Sequence, residues 1–123
     1  MRLWHQNLLP RLPQKQLLAQ HRECCALRGK SWGRKHSVVD YVFTHSRERL
    51  FAYHMLVMDE MARRGYAVAP EWRDIRYLGK NVPMDGSLHR QRFGPRIYRE
   101  HDEAYLAECL ELLRRKGVKL LDA

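Results

Sequence analysis

The sequence predicts an all-α fold, a single compact domain of about three main helices joined by long basic loops. Apolar residues recur at helical spacing in three stretches, near residues 14–28, 46–64 and 102–116. Each stretch runs into a basic residue followed by glycine: Arg28-Gly29, Arg64-Gly65 and Lys116-Gly117. Cations in the last turn favour the negative end of a helix dipole, and Gly65 can take the left-handed conformation past the end of the second helix. A chain of 123 residues has the size of one domain, so the three helices share one core.

The first helix follows a lead-in bracketed by Pro10 and Pro13, and its stripe is Leu17, Leu18, His21, Cys24 and Cys25. Gly29, Ser31 and Gly33 then break the pattern around Trp32, giving a basic loop that ends in Arg34-Lys35-His36. Ser37 with Asp40 three residues later resembles a capping box, which predicts one or two helical turns over 38–43; a short strand is the competing reading. The second helix carries Leu50, Phe51, His54, Val57, Met58 and Met61, and residues 66–69 read as extended before Pro70. Residues 71–97 hold Gly79, Pro83, Gly86, Gly94 and Pro95 without sustained periodicity. The third helix is predicted to bury Tyr105, Leu106, Cys109, Leu110, Leu112 and Leu113.

Composition excludes several classes. With 45% hydrophobic and 30% charged residues, the chain is neither disordered nor fibrous. No apolar run reaches the roughly 18 residues of a membrane span. The opening Met1-Arg2-Leu3-Trp4-His5 leads into prolines and charges rather than a secretory signal. A cytoplasmic protein with no membrane partner is expected. Three cysteines, two of them adjacent and none in a CxxC, read as reduced thiols. Seven histidines without an HxH or HExxH pattern give no reason to expect a metal, and His21 and His54 read as core histidines.

The charge of +9 is unevenly spread. Residues 1–35 hold eight basic side chains against Glu23 alone, and residues 76–99 hold six against Asp85 alone. Two separated basic segments suit a polyanion, because each neutralised phosphate releases counterions. Candidate contacts are Arg2, Arg22, Arg28, Lys30, Arg34, Lys35 and His36 from the first segment and Lys80, Arg90 and Arg92 from the second. A solvated basic surface is the plain alternative. Trp4 and Trp32 are placed either to stack on bases or to pack internally. Glu23 has two readings. It is a helix-surface carboxylate paired with local arginines, or a carboxylate held in a cationic groove to move protons or stabilise a cation.

The stretch Leu17-Leu18-Ala19-Gln20-His21-Arg22-Glu23 resembles the helix of the pyrimidine-dimer DNA glycosylase, or endonuclease V, family. Gly33-Arg34-Lys35-His36 is similar to that family's glycine-containing segment ending in histidine. Glu60-Met61-Ala62-Arg63-Arg64-Gly65-Tyr66 matches the end of its long helix. The opening Met1-Arg2-Leu3-Trp4-His5, with Gln20-His21-Arg22-Glu23-Cys24-Cys25, looks like a bacterial branch. The resemblance covers most of residues 1–70.

It implies an endonuclease V-like fold and a glycosylase that is also an abasic-site lyase, acting as a monomer on damaged duplex DNA without a cofactor. In the family the N-terminal amine attacks C1′ of the damaged nucleotide, the base leaves, a Schiff base forms and β-elimination nicks the strand. Carried onto this chain, Glu23 supports the proton transfers and the cationic intermediate, and Arg22 positions phosphate. The amine is that of Met1, expected to be retained before Arg2, or of Arg2 itself. Where the family tends to carry a further basic residue this chain has Ala26, with Arg2, Arg28 or Lys35 as replacements. Lys35 and Lys80 are reserve nucleophiles or phosphate contacts. Amine and carboxylate must lie within roughly 8 Å to serve one sugar. A non-catalytic nucleic-acid-binding module is the rival reading.

Overall fold

The computed structural model describes residues 2–35 and 38–122. Among them every regular element is helical. Three α-helices, α1 (Gln14–Arg28), α2 (Arg47–Arg63) and α3 (Glu103–Arg115), are joined by 3₁₀ turns at Gln6–Arg11, Asp40–Thr44 and Pro70–Arg73. The all-α expectation holds, and at 38–43 the chain takes the helical rather than the strand reading. Ser37, half of the predicted capping box, lies outside the described residues.

α2 begins at Ser46, whose side chain accepts the Arg49 N–H at 3.2 Å, a cap of about 1 kcal/mol. It ends at Gly65, with φ +81°, where the Tyr66 N–H returns to the Met61 carbonyl at 2.9 Å. α3 repeats the arrangement, from the Asp102 cap on the Tyr105 N–H at 2.8 Å to Gly117 with φ +72°. Only glycine holds such a backbone without strain, which is why both stripes stop there.

α1 packs against α2, and the first 3₁₀ turn lies on α2. The core they share takes in Leu3, Trp4, Leu8, Leu9 and Leu12 of the N-terminal segment. Burying each leucine contributes roughly 1.5–3 kcal/mol, so a stretch with no α-helix of its own is held firmly. Phe51, Ile75, Leu78 and Leu88 form a smaller cluster that ties the long loop to α2. No helix is long and apolar enough to cross a membrane.

Two predicted stripes shift. On α1 the buried positions are Leu17, Gln20, Cys24, Leu27 and Arg28, while Leu18, His21 and Cys25 are half-buried. A polar residue takes a core position because polar groups of residues 2–4 meet it there. On α3 Cys109 and Leu113 are buried but Leu110 is 38% exposed. That helix is covered on one side only, and Leu110 faces away from it.

Candidate active site

Residues 2–4 run extended over α1, and their main-chain groups are met by side chains from all three helices. The Arg2 N–H donates to Oε2 of Glu23 at 3.2 Å. Gln20, one turn before Glu23, donates its Nε2 to the Arg2 carbonyl at 2.9 Å and to Glu23 Oε2 at 3.1 Å. Its Oε1 accepts the Trp4 N–H at 2.7 Å. From α2, the Tyr53 hydroxyl donates to the Trp4 carbonyl at 2.6 Å and lies 3.0 Å from Gln20 Oε1. From α3, the Tyr105 hydroxyl donates to the Leu3 carbonyl at 2.5 Å.

Glu23 is thus half-buried, and its partners are a main-chain N–H and a side-chain amide. Among the described residues it pairs with no arginine, so the surface ion-pair reading does not describe it. The nitrogen of residue 2, the carboxylate and Gln20 form one closed group. Arg2 turns its own guanidinium away, donating to Glu108 at 2.7 Å and lying 5.6 Å from the centre of the Tyr105 ring.

Arg22, beside Glu23, is exposed, and its side chain makes no hydrogen bond or ion pair among the described residues. Lys30 and Arg34 from the first basic segment and Lys80 from the second rim one cleft of about 500 Å³, floored by Ala26, Cys25, Trp72, Leu78 and Val82. Basic residues some 50 positions apart in sequence therefore converge on one surface. Lys35, Arg90 and Arg92 are exposed, and Arg90 lies over the Phe51 ring at 5.2 Å. Met1 and His36 lie outside the described residues. Trp4 packs in the core and Trp32 packs edge-on against Phe43, with Arg47 over its ring. The packing alternative describes both tryptophans.

Arg28 does not belong to the cationic surface. It is 3% exposed and donates to the carbonyls of Trp72, Asp74 and Tyr77 at 2.8, 3.0 and 3.0 Å. Its guanidinium sits between the Phe51 and Trp72 rings. Burial pushes its pKa down to about 10, so it stays cationic at neutral pH. Arg28 is the fastener of the long loop, not a contact for DNA.

Arg28 also approaches Nδ1 of His54 at 2.9 Å, at the edge of a group in which His21, Cys25 and His54 converge. Because a guanidinium only donates, Nδ1 of His54 is an acceptor and the proton sits on Nε2. That N–H points to His21 Nδ1 at 2.8 Å, and His21 Nε2 lies 3.7 Å from Cys25 Sγ. Burial lowers the pKa of both histidines, with the Arg28 charge adding to it, and pushes the Cys25 thiol up to about 11. The group is a chain of neutral hydrogen bonds. Metal ligation through His54 Nε2 would have to strip a proton beside a cation.

Gln20, Tyr53 and Tyr105 escape a reading of charges and motifs. For Gln20 a signal exists: it lies three residues from Leu17 and four from Cys24, on the apolar face itself.

Fold and site define a basic all-α domain whose Glu23 carboxylate is seated against the nitrogen of residue 2. The sequence profile of the pyrimidine dimer DNA glycosylase family matches residues 1–74, more than half of the chain. The chain belongs to that family, whose substrate is DNA. The matched part spans α1, α2 and the 3₁₀ turn at Pro70–Arg73; α3 lies beyond it. No curated protein and no solved structure matches the chain significantly.

Proposed function

We propose that this protein is a glycosylase with abasic-site lyase activity on damaged pyrimidines, cyclobutane dimers, in duplex DNA. The observation that carries the proposal is the 3.2 Å contact of the residue 2 nitrogen with Glu23. If the chain starts at Arg2, that nitrogen is the nucleophile. If it starts at Met1, covalent geometry keeps the amine within about 3.6 Å of it. Both placements satisfy the 8 Å requirement.

An α-amine with pKa near ~8 is about 10% unprotonated at pH 7, against about 0.04% for a lysine near ~10.4. It attacks C1′ as the glycosidic bond breaks, and the departing base takes up a proton. The bound nitrogen gives up one of its two protons, and its lone pair then expels the sugar ring oxygen from C1′ as that oxygen takes up a proton, which leaves a protonated imine carrying the remaining N–H. Removal of a C2′ proton then expels the 3′ phosphate. Glu23 is beside the nitrogen throughout, able to accept its proton and to lower the energy of the cationic imine. Arg22 and the cleft rimmed by Lys30, Arg34 and Lys80 hold phosphates while the nucleotide is turned out of the stack, at a cost of a few kcal/mol. On this reading the protein works as a monomer on DNA in the cytoplasm, without a cofactor.

Incubation with ultraviolet-irradiated and abasic duplexes under borohydride tests this. The expected result is a covalent adduct whose mass maps to the N-terminal peptide and identifies the amine. No adduct on either duplex, with an unblocked N-terminus, overturns the lyase reading.

A further inference from the structure

We propose that Gln20 is the positioning residue of this site, setting the distance between the start of the chain and Glu23. The inference rests on the amine and Glu23 acting together, as proposed above. Gln20 is 1% exposed and sits on the buried stripe of α1, where a leucine would fill the space without any polar group to satisfy. Each polar atom of its amide is used. Oε1 accepts the Trp4 N–H, while the two protons on Nε2 go to the Arg2 carbonyl and to Glu23.

This pattern fixes the amide. Reversed, it would set its oxygen against a carbonyl and a carboxylate and its NH₂ against an N–H. To residues 2 and 4 the side chain presents the edge a neighbouring β-strand would present, a donor to one and an acceptor from the other. The spare N–H then reaches Glu23. One amide from α1 thereby holds the residue 2 carbonyl and the carboxylate that meets the residue 2 nitrogen. Gln20 does not reach the reacting sugar; it acts through Glu23 and the first residues.

Two variants and two readouts test it. Gln20→Met suits an apolar stripe and offers no donor. Gln20→Glu keeps the acceptor for Trp4 and regains a donor only when protonated. Nicking of an abasic duplex is measured in single turnover at saturating protein, beside the Kd. Both variants are expected to lose about 10²-fold in rate, the scale of a 1 Å misplacement, with Kd unchanged. The Gln20→Glu deficit is expected to shrink as pH falls, and the Gln20→Met deficit to stay constant. Amide exchange in Gln20→Met is expected to lose protection at Trp4, whose N–H Gln20 accepts, while the middle of α1 keeps it. A folded Gln20→Met that nicks at the wild-type rate, or retains that protection, overturns the assignment. A wild-type protein that nicks nothing overturns the lyase reading instead, and the exchange result still decides the place of Gln20.

Discussion

Glu23 and Glu60 are both carboxylates that fasten the N-terminal segment, one at residues 2–4 and the other near residues 9–12, and they are held by opposite means. Glu60 is gripped by Arg63 and Arg64, whose hydrogen bonds keep its carboxyl below the usual range. Arg64 goes on to donate to the carbonyls of Leu12 and Pro10 at 2.7 and 3.1 Å. Among the described residues Glu23 receives N–H donors from the main chain of residue 2 and from the Gln20 amide, and no guanidinium. A carboxylate bound to arginines is neutralised and serves structure. One that no guanidinium neutralises keeps its charge available to another cation.

Substitution of each separates the two uses. Glu23→Gln is expected to lower strand cleavage by about 10²–10⁴-fold, with DNA binding retained or tightened and the urea midpoint unchanged. Cleavage at the wild-type rate would remove Glu23 from the chemistry. Glu60→Gln is expected to do the reverse, costing about 2 kcal/mol in urea unfolding at unchanged cleavage per folded molecule.

Arg28 extends the comparison to the cations. Arg28→Met leaves the carbonyls of the long loop unpaired, and a loss of about 3 kcal/mol is expected in the same assay. Salt dependence of DNA affinity is expected to be unaltered, because Arg28 releases no counterions. For Lys30→Ala, Arg34→Ala or Lys80→Ala, each is expected to weaken binding and reduce the slope of log K against log salt by about 1. A full slope in the triple variant would disconnect the cleft from DNA.

The smallest effect concerns pH. Burial lowers the pKa of His54 and His21, and of His101 to about 3. In the unfolded chain these side chains take up protons near pH ~6.5. The unfolded state then binds more protons, so their contribution is complete above about pH 6.5 and lost as pH falls toward the folded values. The urea midpoint is expected to be level above about pH 7 and to decline by about pH 5, before the carboxylates near ~4.3 titrate. A level midpoint across that interval would contradict the neutral buried histidines.

Much of the architecture was legible because it depends on local rules. The caps at Ser46 and Asp102 and the glycines at 65 and 117 act within one turn, so the bounds of α2 and α3 follow from sequence. Glu23 was legible as an anomaly of charge. Arg28 was not, since a tally of charges assigns the same value to a cation facing solvent as to one facing three carbonyls. Gln20 was missed for a related reason: apart from Glu23, its partners are 16 to 33 residues away, and nothing local reports that an extended segment will cross α1 there. Leu110 was misread because a helical stripe does not say how much of it a neighbour covers.

The Tyr105 hydroxyl on Leu3 and the Glu108 carboxylate on Arg2 both come from α3, outside the 1–74 match. The matched segment thus carries the residue 2 nitrogen and Glu23, and the remaining two-fifths of the chain carries the α3 side chains that hold residues 2 and 3. A fragment ending at residue 74 would keep the residue 2 nitrogen, Glu23 and Arg22, lose Lys80 from the cleft, and release the first residues from Tyr105 and Glu108. On the proposed function, changes in α3 offer a dial on turnover that leaves Glu23, Arg22, Lys30, Arg34 and Lys80 untouched.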